Sequence, residues 1–135
     1  METKQINEPV KLMLVKAHSF PEGIMPAFDK LGKLVGMSDT RTVYGLSSGI
    51  ANDGVEYWAA TEAKPGEAER LGLETYTIEP GTYLTETIAD YMDHKEKIGE
   101  VFQQMIADPR LDPNTRCIEM YNGDESVECM VRIKP

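Results

Sequence analysis

The apolar positions of this chain spell out one order of elements twice. The run VKLMLVKA at 10–17 is short and mostly apolar, the pattern of a buried strand. Phe28, Leu31, Leu34 and Val35 then recur at helical spacing and predict a helix over 26–35. Pro26 suits its first turn and Gly36 its stop. Extended runs at 42–50 and 55–63 flank Ala-Asn-Asp-Gly, whose Asp53-Gly54 signals a hairpin. Residues 64–70, with Pro65 and Gly66, read as a polar connection.

The second half repeats the order. An extended stretch covers 74–88, with Pro80-Gly81 read as interrupting one strand rather than ending it. Asp93, three residues before Glu96, resembles a helix-capping pattern. Ile98, Val101, Phe102, Met105 and Ile106 then make an amphipathic helix over 93–107, ended by Asp108-Pro109. The last hairpin joins 116–122 to 127–134 around Gly-Asp-Glu, and Val127, Cys129, Val131 and Ile133 alternate onto one face.

Two βαββ units, about 9–63 and 71–134, therefore share one domain spanning 1–135. The class is α+β: a largely antiparallel sheet with two helices on one face. The cleft between the helices is where such a fold would hold a small ligand.

Composition narrows the partners. The net charge of −9 opposes nucleic-acid binding, which depends on Lys and Arg against phosphate. No apolar run approaches the roughly 20 residues of a membrane span, and the N-terminus lacks an apolar signal core. A cytoplasmic location is the expectation. Cys117 and Cys129 fall on neighbouring strands and read as packing residues rather than a disulfide. Neither His18 nor His94 has metal-ligand spacing around it, so no metal and no cofactor is expected.

The candidate chemistry centres on Cys-Ile-Glu-Met-Tyr at 117–121. Glu119 sits between apolar residues of a strand, and Tyr121 shares its face. Two readings stand side by side. A strand glutamate is ordinarily exposed; one facing a groove has a raised pKa or awaits a cation. Aromatic residues that can wall such a groove are Tyr44, Tyr57, Trp58, Tyr83, Tyr91 and Tyr121. Ring faces add roughly 0.5–2 kcal/mol each to cation binding. Tyr57 and Trp58 are adjacent, so only one of them can line a given groove. Glu128 in the facing strand is a possible second carboxylate, with the hairpin register undetermined.

The segment Tyr76-Thr-Ile-Glu-Pro-Gly-Thr-Tyr-Leu84, the following helix, Cys117-Ile-Glu-Met-Tyr121 and Cys129-Met-Val-Arg-Ile133 resemble the GyrI-like effector-binding domain. That family includes the ligand-sensing domains of AraC- and MerR-type multidrug regulators, stand-alone members and integron-cassette drug-binding proteins. The resemblance extends over nearly the whole chain, because 42–63 matches the family's first hairpin. It implies a duplicated βαββ fold with a ligand groove at a pseudo-twofold axis. It implies that Glu119 is the buried acid that meets cationic ligands, with Tyr121 matched by motif. Tyr44, Trp58, Tyr83 and Tyr91 are matched by approximate position. About nine polar residues precede the first strand, so no direct nucleic-acid binding is expected, and a DNA-binding or other protein partner would act in trans.

Three functions follow in order of preference. The first is a stand-alone binding protein for amphipathic organic cations, without catalysis. The second is a hydrolase of reactive electrophilic small molecules, with Glu119 as general base and a tyrosine as proton donor. The third is a module that inhibits a protein partner; its acidic residues are spread along the chain without a dense tract.

Overall fold

The computed structural model describes residues 1–20, 22–36, 41–48, 56–123 and 125–134. Among them, eight strands form one antiparallel sheet: β1 (Glu2–Ile6), β2 (Val10–Lys16), β3 (Val43–Ser47), β4 (Tyr57–Glu62), β5 (Glu74–Ile78), β6 (Gly81–Ala89), β7 (Cys117–Asn122) and β8 (Ser126–Arg132). Helix α1 (Ile24–Val35) follows β2, short α2 (Glu67–Leu71) follows β4, and α3 (Glu96–Ile106) follows β6. The α+β class, with an antiparallel sheet and two long helices, is the one the sequence predicts.

The strands run β1-β6-β8-β7-β3-β4-β2-β5 across the sheet. Each half contributes a βαββ unit, and the units meet where β3 pairs with β7. The outer strands are exchanged. β1 precedes β2 in sequence but pairs with β6, while β5 precedes β6 but pairs with β2. Residues 7–9 alone join β1 to β2, and 79–80 alone join β5 to β6. Such connectors reach only about 10–14 Å. Strands at opposite ends of the sheet are thus tied together, and the sheet must curl into a half-barrel.

The registers assign the faces. Val15, Ala59, Gly45, Glu119, Cys129 and Glu86 pair in succession across the sheet, so they form one row on one face. This face carries the helices. Ala27 and Leu31 of α1 pack with Val15 and Ala59, and Val101, Phe102 and Met105 of α3 pack with Val127, Cys129 and Val131. The concave face has its own core of Leu12, Leu14, Leu46, Ile118 and Met130, closed by Ile78 of β5 and Ile6 of β1 as the sheet ends approach.

Four expectations need correction. The first strand is not the apolar run at 10–17; the polar segment ETKQI before it forms exposed edge strand β1, which the apolar pattern could not reveal. Pro80-Gly81 ends one strand and begins another. Gly81 has φ +155, and a Cβ there would lie 2.7 Å from the Arg132 guanidinium, which donates to Pro80 O at 2.8 Å. Asp93 does not cap α3: the chain first makes a 3-10 turn over Tyr91–Asp93, and α3 begins at Glu96 with no side-chain cap. The connection at 64–70 contains the start of α2, docked by buried Glu67, which accepts from Arg41 and from the Lys64 amide at 3.1 Å. The expected Asp53-Gly54 turn lies outside the described residues. No helix among those described is long and apolar enough to cross a membrane.

Candidate functional site

Strand β7 carries Glu119 to the seam between the halves, opposite Gly45 on one side and Cys129 on the other. The residue is only 8% exposed. Tyr57 reaches it from β4, across Gly45, and donates to Oε1 at 2.8 Å. Tyr121, two residues along the same face, donates to the same oxygen. Gly45 makes this possible. A Cβ there would lie 2.5 Å from Oε1 of Glu119 and would collide with the Tyr57 hydroxyl. A strand glycine at a point of close approach is thereby explained.

Among the described residues no Lys, Arg or His neutralises Glu119; its hydrogen-bond partners are the two phenols. Oε2 accepts no hydrogen bond from the described residues. It is the oxygen left without a partner for an incoming group. Burial pushes the carboxyl pKa up, and the two phenols pull it partly back. The Tyr57 and Tyr121 phenols are raised well above their usual range, first by burial and then by the Glu119 charge. Both stay protonated at neutral pH and keep donating.

Aromatic rings flank this carboxylate on the helix face. Phe20, in the loop before α1, lies 6.0 Å from the Tyr57 ring. Phe28 of α1 stands edge-on to both Tyr57 and Tyr121, at 6.2 Å from each. Tyr91 completes the stripe 5.4 Å from Tyr121, its hydroxyl donating to Gly123 O at 3.1 Å. A desolvated acid without a counter-ion, one oxygen unengaged and rings on both sides, can receive a cation or accept a proton.

The structure brings three of the candidate residues together here: Glu119, Tyr121 and Tyr91. It puts the other three on the concave face, across the sheet. Tyr44 is buried there and donates to Glu62 at 3.1 Å. Tyr83 donates to Glu79 O at 2.7 Å, its phenol pushed up to about 12 by burial. Trp58 is half-buried beneath the Arg116 guanidinium, 3.4 Å from the ring centroid. Glu128 also belongs to that face. It pairs with Met120, not Glu119, and bonds Lys4 at 3.2 Å, so the two carboxylates do not meet.

Sequence reasoning left Gly45, Phe20 and Phe28 out of the site and kept Tyr57 only as the alternative to Trp58. The alternation rule had already reduced Tyr57 and Trp58 to one choice. Only the β3–β4 and β3–β7 registers, which line Ala59 up with Gly45 and Glu119, put Tyr57 on the Glu119 side. A glycine inside Thr-Val-Tyr-Gly-Leu was the available signal for a close approach at 45.

A half-barrel with two long helices over one face, and the buried acid Glu119 at the seam, defines the molecule's class by architecture. No protein-family model matches the chain, and no curated protein matches its sequence. Solved structures do share the fold. An integron cassette protein from the mobile metagenome of Vibrio cholerae aligns with 98% of this chain and 95% of its own, at 16% identity and a TM-score of 0.70. SAV2435, solved bound to tetraphenylphosphonium, aligns over 98% and 93% at 14% identity and a TM-score of 0.63. A hydrolase from Listeria innocua aligns over 98% and 92% at 10% identity and a TM-score of 0.58. At these identities the likeness is one of fold.

Proposed function

We propose that this protein is a small-molecule binding protein for amphipathic organic cations. The observation that carries the reading is Glu119: buried, held by two phenols on Oε1 and, among the described residues, with no cation beside it and no partner on Oε2. Burying a carboxylate without a counter-ion is costly. A ligand's positive charge would offset that cost, and the rings of Tyr57, Tyr121, Phe28 and Tyr91 would take its apolar part. A structural neighbour bound to tetraphenylphosphonium supports the same reading.

Calorimetry with benzyltrimethylammonium and its neutral isostere neopentylbenzene tests it. Wild type should bind the cation, and Glu119→Gln should weaken it at least tenfold while leaving the neutral compound little changed. Equal losses for both compounds would remove the electrostatic part of the proposal.

One observation favours a second reading. The unengaged Oε2 of a carboxylate with raised pKa lies beside two protonated phenols. Oε2 can take a proton from water as the water oxygen bonds to an electrophilic carbon, and a phenol can protonate the departing group. A hydrolase among the structural neighbours fits this chemistry. Intact recovery of a strained electrophile after incubation would set it aside.

A further inference from the structure

Among the described residues three side-chain nitrogens are enclosed and lack a hydrogen-bond partner: Trp58 Nε1, Arg116 Nη1 and Arg132 Nε. Buried polar groups are nearly always paired, so three orphans call for an explanation. All three are donors, and all belong to the concave face, across the sheet from Glu119. Trp58 pairs with Leu46 of that core. Arg116, just before β7, reaches back over the Trp58 ring. Arg132 pairs with Tyr83 of the same core.

Arg132 is accounted for within the fold. Its other nitrogens donate to Asp112 at 3.2 Å and to Pro80 O at 2.8 Å, and its Nε lies against Gly81. It clasps the β5–β6 turn and adds a positive charge. Arg116 and Trp58 differ. The guanidinium carbon stacks 3.4 Å from the ring centroid. Nη1 is bonded to that carbon and Nε1 belongs to the indole beneath. The two unpartnered donors therefore lie within a few ångströms of each other, and one group can bridge them. Arg116 Nη2 donates to Glu56 at 3.0 Å, a carboxylate that is 58% exposed. An exposed ion pair holds a side chain weakly, so the guanidinium can lift from the indole.

The surroundings are cationic and aromatic. Lys16 Nζ stands 5.3 Å from the same ring and pairs with exposed Glu74 at 3.4 Å. Tyr76 stands edge-on to Trp58 at 6.2 Å. Burial raises its phenol, and the Arg116 and Arg132 charges pull it partly back. A water between the two N–H groups would need acceptors for its own hydrogens. A carboxylate accepts and does not donate, which suits a set of donors beside positive charge.

We propose that Arg116 and Trp58 form a second binding site, on the concave face, for the carboxylate of a small organic acid. Arg116 lifts from the indole to admit the carboxylate, which accepts from Nη1 and from Trp58 Nε1. The Trp58 and Tyr76 rings flank its apolar body. The site is independent of the cation-binding reading of Glu119 and lies on the opposite face of the sheet.

Trp58 is the single tryptophan of the chain, so it reports on its own site. The test titrates sodium benzoate into the full chain, with sodium chloride at equal ionic strength as the control. Trp58 emission and the NMR signal of its indole N–H should both move saturably with benzoate and not with chloride. The indole signal needs no variant to fold. Arg116→Gln should weaken benzoate by about tenfold or more, and neutral benzamide should bind wild type more weakly by a similar factor. Glu119→Gln should leave benzoate binding unchanged. An indole signal that does not saturate, the result of a bridging water only, would overturn the proposal. So would an equal response to chloride, equal affinity for benzamide, tighter binding of inorganic phosphate, or benzoate binding that survives Arg116→Gln or is lost in Glu119→Gln.

Discussion

Gly45→Ala is the sharpest perturbation of the site, because it adds one carbon where the packing has no room. The new Cβ would lie 2.5 Å from Oε1 of Glu119 and 2.8 Å from Cζ of Tyr57, with the Tyr57 hydroxyl nearer still. Tyr57 cannot swing aside freely, since Phe20 and Phe28 pack against its ring. Overpacking of this kind costs about 1–3 kcal/mol. Losing the Tyr57 bond to a charged oxygen costs about 1.5–3 kcal/mol more. The restricted unfolded chain returns about 0.4–1 kcal/mol. A net loss of about 2–5 kcal/mol is expected, seen as a fall in Tm of about 6–15 °C for a chain of this size. Urea denaturation of the two single variants and the pair with Tyr57→Phe isolates the contact. Removing the hydroxyl should lower the cost of Gly45→Ala by about 1 kcal/mol or more. A cost below about 0.5 kcal/mol, or strict additivity with Tyr57→Phe, would refute the assignment of Gly45 to this close approach.

Two further outcomes follow from burial. The Glu119 carboxyl pKa is raised in the folded protein, so its ionisation opposes folding, and stability is lost as pH rises through its unfolded value toward the folded one. Glu119→Gln keeps an oxygen for both phenols and removes the charge; it should be more stable than wild type near about pH 8 and indistinguishable below about pH 4, where the unfolded carboxyl is protonated too. Chemical denaturation across that range decides it, and no gain near about pH 8 would contradict an unneutralised buried charge. Cys117 and Cys129 are buried, with thiols pushed up to about 11 and about 12; labelling by an aromatic disulfide reagent should track global unfolding, and rapid labelling of the native protein would count against this.

Periodicity reached the elements whose side chains serve one purpose. Val127, Cys129, Val131 and Ile133 alternate because a single core takes them all, and they are buried as that pattern requires. The α3 stripe from Ile98 to Ile106 is legible for the same reason. Exposed β1 was not legible, because an edge strand owes its place to backbone bonds with β6 and its polar side chains carry no period. The site divides likewise. Glu119 and Tyr121 are neighbours on one strand, so spacing two residues apart was enough to join them. Tyr57 meets Glu119 through two inter-strand registers and a missing side chain at Gly45, and no local pattern encodes a register. Trp58 looked equally suitable until its strand was aligned, since alternation divides the pair without saying which way either one points.

The pairing of Gly45 with Glu119 has a meaning in terms of symmetry. Two identical chains meeting at a twofold axis must present the same residue from both sides. An acid on that axis would face its own copy, and like charges directly opposite one another on a sheet are destabilising. Covalent fusion of the two halves lifts the restriction. One strand can keep the acid while the other gives up its side chain entirely, and the vacated volume admits a phenol from next door. The solitary negative charge at the centre of this molecule is therefore something a symmetric dimer of the same architecture could not hold.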